Sequence, residues 1–394
     1  MMNTIKTNQK IKDLCTSMKS DALLVSNPLS LAFLTGIELP FAEHFPEKPV
    51  TALFFRNGPA LLLCPHEWRK AIQEQGWNGE LTSYRDNSAH ADSFTAKEIV
   101  NFAVAQNADS CDIGYESEYI SQAFFELLQK FFSQTDFNKA VHFKSADDAF
   151  NSRKMIKTRE QIERLRTAAE QLEFGIIGAL QHVEGSLEDT GYTAAEFCER
   201  IRVHVYECGG TAGGLSATAS GDNATQLYGL PRGKFQPGEL VRIEASSRYF
   251  GATACSSRMM SIGEATELQR RAYRENLFLK KELCSLLSPG KICSEIFFEI
   301  EQLALREGID LLPHYGIGHG IGTSEKEAPL LHPHDKTVLK EGMTIVAAVY
   351  TEGPRKELIC SKDIYLVGSD GPECISSFHN WEELYEVTGF RSAH

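Results

Sequence analysis

The stretch HYGIGHGIGTSEKEAP, residues 314–329, sets a single histidine, His319, between glycines and follows it with Lys326 and Glu327. An imidazole titrates near neutrality, so it can serve as a general acid or base or ligate a metal. Three chemistries fit these residues: a metal site, a metal-free catalytic site, or the remains of one. A structural histidine stands beside them as an equal reading, because glycines let backbones approach closely whatever the chemistry. The nearby LHPHDK (331–336) carries His332 and His334, which point to opposite sides of an extended chain and read as a solvated loop rather than a metal clip. Ten cysteines are scattered without a CxxC pair. They read as reduced thiols of a cytoplasmic protein.

The elements that must position these residues change character along the chain. In the first 145 residues, DALLVSN (21–27) reads as a strand. PVTALFFRNGPALLLCP (49–65) reads as a hairpin turning at Asn57-Gly58, and ESEYISQAFFELLQKFF (116–132) as a helix. Strands alternating with helices imply an α/β domain. ADDAFNSRKMIK (146–157) reads as a linker. Beyond it, Thr158 and Gln161 form a capping-box pattern, and Ile162, Leu165, Ala169, Leu172 and Ile176 recur at helical spacing. Past residue 208 the chain turns to glycine-rich turns and strands. A helix pair follows over roughly 265–308, and the strands GMTIVAAVY (342–350) and SKDIYLVG (361–368) come last.

Composition sets the outer bounds. A chain of 394 residues has room for two domains, and 42% hydrophobic with 24% charged residues is ordinary for a globular protein. A formal net charge of −13 argues against duplex nucleic acid as a partner. The polar N-terminal stretch lacks the apolar core of a signal peptide, and no run approaches 18 apolar residues, so no membrane span is expected.

The order of motifs resembles the creatinase, aminopeptidase P, prolidase and methionine aminopeptidase family. LLVSNPLSLAFLTGI (23–37) is similar to the N-terminal domain of the creatinase and prolidase branch, and MIKTREQIERLRTAAEQ (155–171) to the first helix of its catalytic domain. SGDNATQLYGLP (220–231), PGELVRIEASSRYFGATACSSRM (237–259), GIGHGIG (316–322), EGMTIVAAV (341–349) and SKDIYLV (361–367) follow in family order. The resemblance implies an α+β chain: a small α/β domain over 1–150, then a pita-bread domain over 151–394. It also implies a homodimer, with IELPFAEHFPEKP (37–49) as the loop that would reach a partner.

Peptidase members hold two divalent metals with two aspartates, a histidine and two glutamates. Carried over position by position, these fall at Glu244, Cys255, His319, Ala348 and Lys362. Glu352 could substitute for Ala348 only if its strand ended differently. Two carboxylates have become alanine and lysine, whereas a divalent pair needs several anionic oxygens. The resemblance therefore implies no metal cofactor, with Lys362 as the cation paired to Glu244; a single zinc on Glu244, Cys255 and His319 is the alternative.

Creatinase is a metal-free member of the family. Its catalytic histidine falls at Tyr228, or at Leu227 one residue earlier, and its carboxylate-binding arginine at Lys326. Its guanidino-binding glutamates fall at Ser257 and Ala348. The expected site thus has His319 as general acid or base, Cys255 as nucleophile, Glu244 as orienting carboxylate and Tyr228 as proton donor. Lys326, Lys362, Glu327 and Arg258 would bind or orient a small substrate. The leading expectation is a metal-independent, creatinase-like hydrolase of a C–N bond in a small carboxylate-bearing amide, imino-peptide or guanidino compound. The alternatives are a catalytically inactive binding module, like the peptidase-like domain of a histone chaperone, and an Xaa-Pro aminopeptidase or prolidase-type metallopeptidase.

Overall fold

A computed structural model describes residues 2–39, 45, 48–85, 90–106, 111–135, 141–184, 192–219, 221–227, 233–376 and 378–388. The chain forms two compact units, Met1–Lys154 and Met155–His394.

In the first unit the helices are α1 (Met2–Met18), α2 (Pro28–Thr35), α3 (Arg69–Glu74), α4 (Ala91–Ala105), α5 (Gln122–Ser133) and α6 (Asp147–Met155). The strands β1 (Ala22–Val25), β2 (Thr51–Phe55), β3 (Ala60–Pro65), β4 (Glu80–Tyr84), β5 (Cys111–Tyr115) and β6 (Val141–Ser145) form one sheet in the order β4-β3-β2-β1-β5-β6. Strand side chains alternate between faces, and here both faces are covered. Leu23, Val25 and Phe54 pack with Leu14 of α1 and Leu31 of α2, whereas Leu24, Leu53 and Leu63 pack with Ile99 of α4 and Leu128 of α5. The hairpin pairs as its sequence suggests, Phe54 opposite Ala60. The stretch expected to be a linker is largely helical. Acids Asp147 and Asp148 open α6, Arg153 and Lys154 close it, and Phe150 is buried, so helix dipole and core both favour the turn structure.

The second unit begins with α7 (Arg159–Glu184) and α8 (Ala194–Glu207), and α9 (Glu267–Ser285) and α10 (Cys293–Glu307) follow later. The capping box of α7 is present: Gln161 N donates to Thr158 Oγ1 at 3.3 Å, and Thr158 N to Gln161 Oε1 at 2.9 Å. Nine strands make a single sheet: β7 (Thr211–Ala219), β8 (Leu240–Tyr249), β9 (Ala252–Ile262), β10 (Gly318–Gly320), β11 (Glu327–Leu330), β12 (Thr344–Glu352), β13 (Leu358–Gly368), β14 (Gly371–Cys374) and β15 (Tyr385–Val387). Its path is β11-β10-β12-β13-β9-β8-β7, with β14 on β13 and β15 on β9.

The sheet has a helix-covered face. Val241, Ile243 and Ala245 of β8 and Met260 of β9 pack with Leu172 and Ile176 of α7 and Phe197 of α8. Ile345, Ala347 and Val349 of β12 pack with Leu279 of α9 and Ile296 of α10. By alternation, the even residues of β8, β12 and β13 and the odd residues of β9 point the other way.

The two halves of the sheet meet where β13 pairs with β9, at Lys362 and Ser257. A buried polar network closes this seam from the helix side. Arg258, 0% exposed, donates to Lys362 O at 2.6 Å, Asp363 Oδ1 at 2.8 Å and Glu173 Oε2 at 3.2 Å. Lys280 of α9 donates to Asp363 Oδ2 at 2.6 Å, and Trp381 Nε1 donates to Glu173. Burial alone would raise the Asp363 carboxyl, but Arg258 and Lys280 override it and hold the group at about 2. Removing one member of such a set leaves a buried charge uncompensated. Arg258→Met is therefore expected to lower unfolding free energy by about 3–5 kcal/mol, read as a shift in the urea midpoint of the full chain; a loss under about 1 kcal/mol would contradict this role.

Candidate functional site

The face away from the helices carries the chemistry. Ala348 pairs with Lys362, Lys362 with Ser257, and Ser257 with Glu244, so one row crosses β12, β13, β9 and β8. His319 on β10 pairs with Val346 of β12 and shares that face. Cys255 lies two residues from Ser257 on β9 and shares it too. Glu244, Cys255, His319, Ala348 and Lys362 thus come together on one side of the sheet.

Lys362 Nζ donates to Glu244 Oε2 at 2.7 Å, and both side chains are nearly fully buried. Burial opposes charge on Lys362, but Glu244, with Tyr350 and the two thiols behind it, holds the amine protonated well above its ordinary range. The Tyr350 ring lies 5.4 Å from Nζ. Glu244 Oε1 lies 3.1 Å from Arg242 Nε. Arg242 in turn donates through Nη1 to Leu358 O at 3.2 Å and through Nη2 to Gln226 O at 2.5 Å and Leu227 O at 2.9 Å. A chain of charge runs from β13 through β8 to the segment 224–227.

His319 sits where glycine is required on both sides. A Cβ on Gly318 would lie 2.4 Å from Val346 O, and one on Gly320 2.3 Å from Ala328 O. Its Nδ1 is 2.9 Å from Gly320 O. A carbonyl can only accept, so Nδ1 carries the hydrogen and Nε2 keeps the lone pair. Burial lowers the ring's pKa; the Gly320 carbonyl opposes this, and Lys362 and Lys326 add to it, leaving about 4. At neutral pH His319 is an uncharged base.

The loop after β10 is pinned by Glu327. Its Oε1 accepts from Thr323 N, Thr323 Oγ1 and Ser324 N at 2.6–2.8 Å, and its Oε2 pairs with Lys157 at 3.2 Å. Expected to bind substrate, Glu327 instead spends its oxygens on the loop. Lys326 is exposed beside it. Glu325, missed in the sequence, is partly buried and turned inward. Burial raises its carboxyl, opposed by Lys362, a hydrogen bond with Ser246, and Arg248. No spacing signal marks Glu325; its role comes from the loop's path.

Three other expectations change. Arg258 lies on the helix side, in the seam network, because odd and even residues of β9 face opposite ways; it does not reach the site face. Burial pushes the Cys255 thiol up to about 12 despite Lys362, so at neutral pH it is a thiol rather than a thiolate. The His319 ring donates to a backbone carbonyl rather than to Glu244, so no carboxylate-oriented imidazole activates Cys255. Tyr228 lies outside the described residues. Glu352 is exposed at the end of β12, opposite Leu358, and does not stand in for Ala348.

Family comparisons agree with this frame. The pattern described as metallopeptidase family M24 matches residues 163–369, just over half the chain, and the creatinase/prolidase N-terminal domain matches 8–156. This chain belongs to metallopeptidase family M24. Its architecture is the creatinase/prolidase N-terminal domain followed by the pita-bread domain. It is 26% identical over 231 residues to an Xaa-Pro dipeptidase of Pyrococcus furiosus, an alignment spanning 58% of this chain and 65% of that protein. The match covers under two thirds of that relative's length. A protein of Staphylococcus saprophyticus named an uncharacterized peptidase is 21% identical over 94% of this chain and 99% of its own. The prolidase of Pyrococcus horikoshii superposes with a TM-score of 0.77 at 20% identity, covering 95% of this chain and 99% of that one. These relatives overturn the expectation of a creatinase-like, metal-independent C–N hydrolase: the characterised names among them are Xaa-Pro dipeptidase and prolidase.

The family name implies a metal, and the residues here do not fit one. The row that would present carboxylates presents Ala348, the Lys362 ammonium and Glu244, and Cys255 is a neutral thiol. Among the described residues no three His, Cys, Asp or Glu side chains converge as a ligand set. An ammonium 2.7 Å from Glu244, the carboxylate of that row, repels a cation there.

His319 also sets a pH dependence. Its folded value of about 4 lies below the ordinary 6.5, so the native state resists a proton that the unfolded state accepts. Its contribution is full above about pH 6.5 and is lost as pH falls toward 4, by at most about 3 kcal/mol. Imidazole NMR should place the His319 titration near 4, whereas a midpoint at or above 6.5 would contradict the placement.

Proposed function

We propose that this chain recognises short peptides with a free carboxylate, the substrate class named by its Xaa-Pro dipeptidase relatives, on the sheet face that carries His319. The observation that carries this reading is the concentration of positive charge there. Lys362, Arg242, Arg248 and Lys326 stand against Glu244 and Glu325, a surplus of cations in a chain whose net charge is −13. A peptide carboxylate supplies the missing charge. Neutral His319, with its Nε2 lone pair, can accept a hydrogen bond from the peptide's N–H. The chemistry this supports is retention of the dipeptide.

A second reading, cleavage of an Xaa-Pro bond, is favoured by the names of the relatives. It would require ligands that the central row lacks. A cytoplasmic homodimer belongs to the same family-based reading; among the described residues no helix is long and apolar enough to cross a membrane.

The two readings separate in one assay. The protein is incubated with Gly-Pro, with and without Mn²⁺, while proline release and thermal midpoint are followed. Retention predicts a raised midpoint and no proline beyond the uncatalysed background. Mn²⁺-dependent release of proline with about two ions bound per chain would establish cleavage instead.

A further inference from the structure

We infer that Lys362 is the ligand-binding cation of this chain: its ammonium, anchored by Glu244, receives the carboxylate of the bound compound where a divalent metal would stand in a metallopeptidase of this fold. The inference deepens the short-peptide reading and rests on it for the identity of the ligand.

The geometry has three parts. First, the ammonium is fixed. Glu244 accepts one of its three N–H bonds at 2.7 Å and the Tyr350 ring stands 5.4 Å from Nζ, which leaves N–H donors of the ammonium for a ligand. Second, the anchor is itself anchored. Arg242 stands 3.1 Å from the other oxygen of Glu244, an ion pair without a hydrogen bond, and is itself held by the carbonyls of Gln226, Leu227 and Leu358. Third, Lys362 lies at the middle of the row Ala348–Lys362–Ser257–Glu244, and Ala348 leaves the space beside it free of any competing carboxylate from β12. A preorganised cation in a water-poor site is a stronger partner for an oxyanion than the same lysine in water, because little reorganisation accompanies binding. A lysine offers a point charge rather than arginine's fork, so it discriminates charge more than shape.

The test uses the full chain after EDTA dialysis, with thermal shift and calorimetric titration. The probes are Gly-Pro, Gly-Pro amide and succinate. Lys362→Met leaves Glu244 facing Arg242 at 3.1 Å, so the carboxylate keeps a counter-ion, and it is paired with Lys362→Gln, which keeps an N–H donor toward Glu244 and serves if the Met variant fails to fold. Gly-Pro should raise the midpoint of the chelated wild type, Gly-Pro amide should not, and the folded Lys362 variants should bind Gly-Pro at least about tenfold more weakly.

Gly-Pro binding that is unchanged in a folded Lys362 variant overturns the role of Lys362 and leaves the short-peptide reading standing. Binding that appears only after Mn²⁺ is added also overturns it. If succinate binds through Lys362 but Gly-Pro does not, the cation role stands and the peptide reading falls. If neither carboxylate binds with or without Mn²⁺, both fall.

Discussion

A lysine ammonium lies buried where the two halves of the large sheet meet. Lys362 cannot remain charged there without a counter-ion, because the desolvation of an ammonium exceeds any single neutral contact. Glu244 provides the counter-ion from two strands away, so the pair bridges β13 and β8 across β9. On the opposite face Arg258 of β9 ties its own strand to β13 through the Lys362 carbonyl and Asp363. The seam is therefore held from both sides by charge, and strand alternation at Lys362 and Asp363 sends one ionic group to each face.

The chemistry of the site follows from that ammonium. Its field, added to burial, keeps His319 neutral at physiological pH. It lowers the Cys255 and Cys360 thiols, yet burial outweighs it in both, so neither is a thiolate at neutral pH. The result is a positive, rigid and weakly nucleophilic face, suited to holding an anion. The metallopeptidase fold supplies the frame, while the side chains at its centre supply a different charge balance. Fold and chemistry part company here at single positions, Ala348 and Lys362, rather than over long stretches.

Much of this was readable from residues alone, and the failures have physical causes. Short apolar runs and the Asn57-Gly58 turn marked the sheet of the first unit, and Thr158 with Gln161 marked the start of α7. Family order singled out Glu244, Cys255, His319, Ala348 and Lys362, and the strand register sets these positions on one face of the sheet. Residues 146–157 hold the boundary between the two units, Lys154 to Met155, as their composition suggests, but that polar composition hid the helix α6 with its buried Phe150. Arg258 orients carboxylates as its family position suggests, but the carboxylates are in the seam, and both it and Glu327 are engaged by groups that a one-dimensional reading does not reveal. Their partners, Glu173, Asp363 and Lys157, lie tens or hundreds of residues away. Glu325 was missed for the converse reason: its inward turn depends on hydrogen bonds that Glu327 makes to Thr323 and Ser324.

The most direct measurement is anomalous diffraction at the manganese edge from crystals soaked in Mn²⁺. An ammonium at the centre predicts no anomalous peak between Glu244 and His319, with Lys362 still within hydrogen-bonding distance of Glu244. One or two strong peaks there, with Lys362 swung away from Glu244, would contradict the replacement of metal charge by lysine.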